Sequence, residues 1–284
     1  MLFISCSYAD IRVMDDVGRT IVLEKPAQRI ISLAPHATEL IYVAGGEKQI
    51  VAAVDFSDYP QQAKQLPRVG SYEKLDIEAI LALQPDLVIA WQSGNPAEQF
   101  NQLIQLGVNV FITEARSFED IADNIRKFGQ LLDTRQIANQ QANDYLQQLM
   151  QLRQDYQGRA QVRVFYQVWN DPLFTVNGKH LINKVIELCG GVNVFSDLAV
   201  LAPRISVESV IEKNPDVIIA GLNEERHDWL GSWQKWHGMK AVKNGHVYGV
   251  NADLIVRHTP RILQGARQVC EAIDKVRVHP ATGN

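Results

Sequence analysis

Between Asp133 and Gln157, small or apolar residues fall at Ala138, Ala142, Tyr145, Leu149, Leu152 and Tyr156. That 4-3-4-3-4 spacing keeps one stripe on one face of an α-helix, and Gln and Arg fill most of the other face. Asp133 with Gln136 three residues later is predicted to cap the helix, and Gly158 to stop it. At ~1.5 Å per residue such a helix is ~36 Å long, about the width of a small domain. It reads as a stiff strut between two lobes.

The flanking segments resemble each other. LDIEAILALQPDLVIA (Leu75 to Ala90) precedes the strut and ISVESVIEKNPDVIIA (Ile205 to Ala220) follows it. At an offset of 130 (220 − 90) they share Glu78/Glu208, Pro85/Pro215, Asp86/Asp216, Ile89/Ile219 and Ala90/Ala220. Each copy predicts a short amphipathic helix, a Pro-Asp turn and an apolar, β-rich run suited to a buried parallel strand.

The rest of the pattern fits a βα alternation run twice. Val13–Leu23 predicts a hairpin turning at Asp16-Val17-Gly18, with glycine supplying the positive φ. Strands are predicted at Arg29–Leu33, Ile50–Val54, Val108–Thr113, Val162–Val168 and His246–Val250. The first strand breaks at Ala34-Pro35-His36, with a helix over Thr38–Ala44 closed by Gly45-Gly46. Further helices are predicted over Phe118–Leu131 and Leu181–Cys189, and from Thr259 as N-cap with Pro260 at N1 to about Val276. Trp229, Trp233 and Trp236 stand at i, i+4, i+7, a helical stripe that suits packing. Asn251–His258 is expected to be a loop. The domains expected are residues 1–9 as a signal remnant, 10–132 as a first lobe, 133–158 as the linking helix and 159–284 as a second lobe.

In open α/β sheets, ligands sit beyond the carboxyl ends of the strands. The segments predicted there carry Phe56, Tyr72, Trp91, Trp169, Phe174, Asp253 and Arg257, with His36 just after the first strand. Two facing lobes would make a cleft lined by aromatics and few charges. Each ring can bury ~150–250 Å², which suits a large, flat, partly apolar ligand.

Composition narrows the field. The chain has 284 residues, 46% of them hydrophobic, and a net charge of −4. With no basic run, nucleic acid is not an expected partner. No apolar stretch approaches the ~20 residues of a membrane span. There is no glycine-rich phosphate loop, no H-E-x-x-H, no G-x-S-x-G and no C-x-x-C, and the seven histidines lack metal spacing. No catalytic residues, metal site or cofactor are expected.

Met1–Ala9 (MLFISCSYA) reads as the tail of a signal peptide ending in Ser7-Tyr8-Ala9, which would start the mature chain near Asp10. Lipid modification of Cys6 is the other reading, and Phe3-Ile4-Ser5 suits it poorly. Without Cys6, an exported chain keeps Cys189 and Cys270, which suggests one disulfide; two buried thiols are the alternative.

RIISLAPHATEL, DFSDYP, LDIEAILALQPDLVIAW with the following GN, and LINKVIELCGGVNVF resemble the periplasmic cobalamin-binding proteins of ABC importers. The resemblance runs from about Arg29 to Val276. DFSDYP and PDLVIAW are specific to the cobalamin branch, whereas the wider family also takes haem and iron–siderophores. It implies an α/β fold: two Rossmann-like lobes with central parallel sheets, bridged by one long α-helix, with ligand held between them. It further implies that Phe56, Tyr72, Trp91 and Phe174 contact the corrin. Tyr72 stands where relatives carry Trp, and Phe56 where they carry Tyr. A family Trp falls at Ala202, so that contact is lost or supplied by Trp169. Asp253 and Arg257 match polar rim residues facing the ligand's amides, although they are also spaced to pair with each other. Cys189 and Cys270 match the family disulfide. Glu78 and Glu208 match the two glutamates that dock onto arginines of a permease dimer. His36 could approach the cobalt's upper face, or simply cap a helix or face solvent.

The expected function is a monomeric periplasmic protein that captures cobalamin as a transported ligand. Haem or a ferric siderophore on the same scaffold is the alternative, though arginine clusters for siderophores are sparse. A cytoplasmic α/β enzyme is the alternative of another class.

Overall fold

The computed structural model describes residues 10–223 and 227–278, so the expected signal remnant, Cys6 included, lies outside the described residues. Ile11–Met14 (β1) and Thr20–Leu23 (β2) pair antiparallel around Gly18, at φ +83°. The buried Asp15 and the neighbouring Asp16 tie this hairpin to segments about a hundred residues along the chain. Asp16 accepts hydrogen bonds from Lys127 Nζ (2.6 Å), Asn124 Nδ2 (2.7 Å) and the Glu114 amide (2.8 Å).

The first sheet grows from Ile30–Ser32 (β3), followed by Pro35–Val43 (α1), Ile50–Ala53 (β4), Ile77–Ala82 (α2) and Leu87–Trp91 (β5). Ala97–Gln105 (α3), Val110–Thr113 (β6), Phe118–Leu132 (α4) and Arg135–Tyr156 (α5) come next. The strands are parallel in the order β4-β3-β5-β6. Val88, Ala90 and Ile112 pack with Ile80 of α2 and with Phe100 and Leu103 of α3.

The second sheet is built from Val162–Gln167 (β7), Leu181–Leu188 (α6), Gly191–Asn193 (β8), Val207–Lys213 (α7) and Val217–Leu222 (β9). A 3-10 turn at His227–Trp233, then Lys240–Lys243 (α8), Val247–Asn251 (β10), Ala252–Ile255 (α9) and Ile262–Val278 (α10) complete it. Its parallel order, β10-β9-β7-β8, is the first sheet's order read from the other edge. In both, the first and third strands are central neighbours whose following connections diverge, which is where such sheets open a crevice.

The chain divides into two compact units, one ending at Ala115 and resuming over Glu119–Leu146, the other formed by Arg116–Phe118 and Gln147 onward. Helix α5 belongs to both: its first turns lie in one unit and its last in the other. Its stripe is inward as the spacing predicts, with Ala138, Ala142, Tyr145, Leu149 and Leu152 at most 2% exposed.

The internal repeat is a repeat of structure. The Asp76 carboxylate accepts from the Ala79 amide to cap α2, and the Ser206 hydroxyl accepts from the Ser209 amide to cap α7. Just past each helix the backbone turns left-handed, at Gln84 (φ +47°) and Asn214 (φ +43°). Asp86 then accepts from the Arg29 amide at 2.9 Å, and Asp216 from the Arg163 amide at 3.0 Å. The arginine side chains donate back to Leu83 O and Lys213 O, so each Pro-Asp turn is locked to the start of a central strand.

Several boundaries depart from the sequence reading. Helix α1 starts at Pro35, not Thr38: proline's fixed φ fits the first helical position, so Ala34-Pro35-His36 is an entry and not a break. Asp133 does not cap α5. It sits at φ +58° between α4 and α5, and Thr134 O accepts the first helical bond, from Ala138 N at 3.0 Å. Thr259 precedes a turn, and α10 proper begins at Ile262. Asn251–His258 contains α9, capped by the Asn251 side chain. Trp229 and Trp233 lie in a 3-10 turn and Trp236 just beyond it, with Trp233 2% exposed in the second core and Trp236 packed against that core.

Candidate functional site

In the first unit, the segments at the carboxyl ends of β3, β4 and β5 bring His36, Tyr72 and Trp91 together, and Phe56 follows the end of β4. Trp91 is the last residue of β5 and half-buried. The His36 ring meets it edge-on at 5.1 Å between centroids, and Tyr72 lies at 6.2 Å, tilted by 49°. A Cβ on Gly94 would fall 1.8 Å from Trp91 Cε3, so the indole rests directly on that glycine. His36 is only 5% exposed, in the first turn of α1, and is neither a cap nor a solvent-facing residue.

Phe56 is 69% exposed and holds φ +62°, a conformation that costs a non-glycine residue about 1 kcal/mol or more. A large ring held outward in a left-handed turn is a candidate for function. The turn is anchored from beneath. Thr38 Oγ1 bonds Ser57 Oγ at 3.0 Å and Ser32 Oγ at 2.9 Å, and Arg68 donates to the carbonyls of Val54, Ser57 and Ala63.

In the second unit, Trp169 and Phe174 face each other across a short antiparallel bridge, joined by Phe174 N to Trp169 O at 3.1 Å. Trp169 is 42% exposed and meets Trp229 edge-on at 5.3 Å. Trp229 is thus the member of its stripe that joins the candidate group. Ala202 is exposed and offers no ring. Arg257, 9% exposed, reaches Asp253 Oδ1 at 3.4 Å, so these two pair with each other on α9 and just beyond it, leaving half of the Asp253 side chain accessible.

His180 and His258 form a second cluster in this unit, with ring centroids 6.0 Å apart. His180 Nδ1 accepts from the Ile182 amide and caps α6. Desolvation lowers its pKa to about 3, helped by His258 and Arg116; desolvation, then Arg116, lowers that of His258 to about 4.

Glu78 and Glu208 are both exposed, in the first turns of α2 and α7. Glu78 borders a surface hollow shared with Asp55, Lys74 and Asp76. Cys189 and Cys270 are bonded, tying the end of α6 to the middle of α10.

Asn95, Arg68 and the Ser32–Thr38–Ser57 hydroxyls, none of them among the residues expected at the site, hold the loops rather than line them. The available signal was a Gly-Asn-Pro run at a strand's carboxyl end, where a buried amide often ties neighbouring turns. Among the described residues no group of His, Cys, Asp and Glu is placed to hold a metal ion, and no helix is long and apolar enough to cross a membrane.

Comparison with known proteins agrees with this architecture. The vitamin B12-binding protein of Vibrio parahaemolyticus is 40% identical over 254 residues, 89% of this chain and 92% of that protein. The crystal structure of the periplasmic vitamin B12 binding protein BtuF of Vibrio cholerae superposes with a TM-score of 0.84 at 39% identity, covering 89% of this chain and 98% of that one. The periplasmic heme-binding protein BhuT, solved with two hemes, shares the fold at a TM-score of 0.76 and 21% identity, covering 88% of this chain and 100% of its own. The model of the periplasmic binding protein family matches residues 30–254, from the first strand of one sheet to the helix after the last strand of the other, and the chain belongs to that family.

Proposed function

We propose that this chain is a periplasmic protein that binds cobalamin and hands it to an ABC importer. The observation that carries the reading is the 40% identity, over 89% of the chain, to a protein named for vitamin B12 binding. The geometry supports it. Phe56, Tyr72 and Trp91 in one unit, and Trp169 and Phe174 in the other, hold partly accessible ring surface at the ends of parallel strands. A corrin presents a broad apolar plane fringed with amides, and such rings cover it while Asp253 meets the fringe. His36, largely buried behind Trp91, supports that ring rather than reaching the cobalt. The protein acts as a monomer, and the exposed Glu78 and Glu208 dock on the two halves of a permease dimer.

Titrating the purified protein side by side with cyanocobalamin, haem and a ferric siderophore tests this. The expected result is a one-to-one complex with cyanocobalamin, accompanied by quenching of tryptophan fluorescence, and much weaker response to the other two. Saturable binding of haem or the siderophore in preference to cyanocobalamin would overturn it.

A further inference from the structure

We infer that Gly94 and Asn95 are the positioning element of the first unit's aromatic surface, setting where the Trp91 and Tyr72 rings stand; its bearing on cobalamin rests on the function proposed above. Asn95 is 6% exposed, and its side chain spends both donors and its acceptor on three different segments. Nδ2 donates to Leu33 O at the end of β3 (2.8 Å) and to Tyr72 O in the loop before α2 (2.9 Å). Oδ1 accepts from Trp91 N at the end of β5 (2.7 Å), and the Asn95 amide donates to Trp91 O (2.9 Å).

The amide's orientation follows from its partners, because the flipped group would set an oxygen against two carbonyls and an NH2 against an N–H. Both backbone polar groups of Trp91 are therefore held by one residue, which also holds the Tyr72 main chain. Gly94 completes the arrangement: it is the floor on which the indole lies, and any side chain there would collide with the ring. Asparagine is the required residue type. Aspartate has the same shape but offers no donors, so it would face Leu33 O and Tyr72 O with negative charge.

The test uses protein labelled with 5-fluorotryptophan, whose five resonances include one assigned to Trp91 by its loss in Trp91→Phe. Asn95→Asp and Gly94→Ala are made separately, the second leaving every Asn95 hydrogen bond in place. In the ligand-free protein each substitution is expected to shift or broaden the Trp91 resonance while the other four stay put. Cyanocobalamin affinity should fall by about tenfold or more. Asn95→Ser, which keeps a donor and an acceptor, should recover part of both effects. If Asn95→Asp fails to fold, Asn95→Ser, which loses one of the three side-chain hydrogen bonds, decides for Asn95 and Gly94→Ala for Gly94. An unmoved Trp91 resonance, or a moved one with unchanged affinity, overturns the inference. Should the unsubstituted protein bind no corrinoid, the functional reading falls, while the fluorine spectrum still decides the positioning.

Discussion

His180 and His258 show what burial does to a group that is otherwise the ordinary titrating side chain near neutrality. Both rings are neutral in the folded chain, since desolvation holds His180 down to about 3 and His258 to about 4. His180 has a structural reason as well: Nδ1 accepts from the Ile182 amide, and a proton there would remove the cap from α6. In the unfolded chain both take up protons near pH 6.5. The unfolded state thus binds more protons below that pH, so the stability these rings contribute is complete above about 6.5 and is lost as pH falls towards their folded values. The loss is at most about 1.4 kcal/mol per pH unit for each ring. Urea unfolding between about pH 7.5 and 5 should show this slope in the native chain and a shallower one in His258→Gln. Equal slopes in the two proteins would count against the assignment.

Under the proposed function, helices α2 and α7 are where the repeat would meet the transporter. Each presents an exposed glutamate in its first turn, Glu78 or Glu208, beside a capping side chain that is itself satisfied, Asp76 or Ser206. Exposed ion pairs contribute only ~0.2–1 kcal/mol each, so in the proposed docking they would set register and encounter rate more than grip. Replacing both glutamates with alanine should leave cyanocobalamin binding and thermal stability unchanged while abolishing uptake in cells; loss of binding itself would remove the docking role. These elements were legible because their signal is local: an N-cap, an apolar period and a Pro-Asp turn all lie within sixteen residues. The α5 stripe was legible for the same reason. The misplaced start of α1 comes from a local signal read the wrong way, since proline suits the first helical position. That of α5 turns on a long-range fact: Thr134 Oγ1 bonds Ala44 O across 90 residues. The rings of the candidate site could be read because aromatics after apolar strands are conspicuous. Asn95 was signalled only by its Gly-Asn-Pro run, because its three partners are main-chain groups from separate segments.

Each unit has its own sheet and its own core, and the only disulfide among the described residues lies wholly within one of them. Cys189 and Cys270, both fully buried, close a separation of 81 residues, a loop whose constraint on the unfolded chain contributes up to about 4.5 kcal/mol. That stabilisation belongs to the second unit, which also holds four of the five tryptophans: Trp169, Trp229, Trp233 and Trp236. Trp91 alone reports on the first. The double substitution Cys189→Ala with Cys270→Ala keeps the site apolar, so its effect reads the lost constraint plus a small cavity. In guanidinium titrations, tryptophan emission dominated by the second unit should show its midpoint at lower denaturant, with an unfolding free energy lower by several kcal/mol. The fluorine resonance of Trp91 should keep its midpoint. If the Trp91 signal shifts in step with the others, the units unfold as a single cooperative body, and α5 transmits stability between them instead of merely belonging to both.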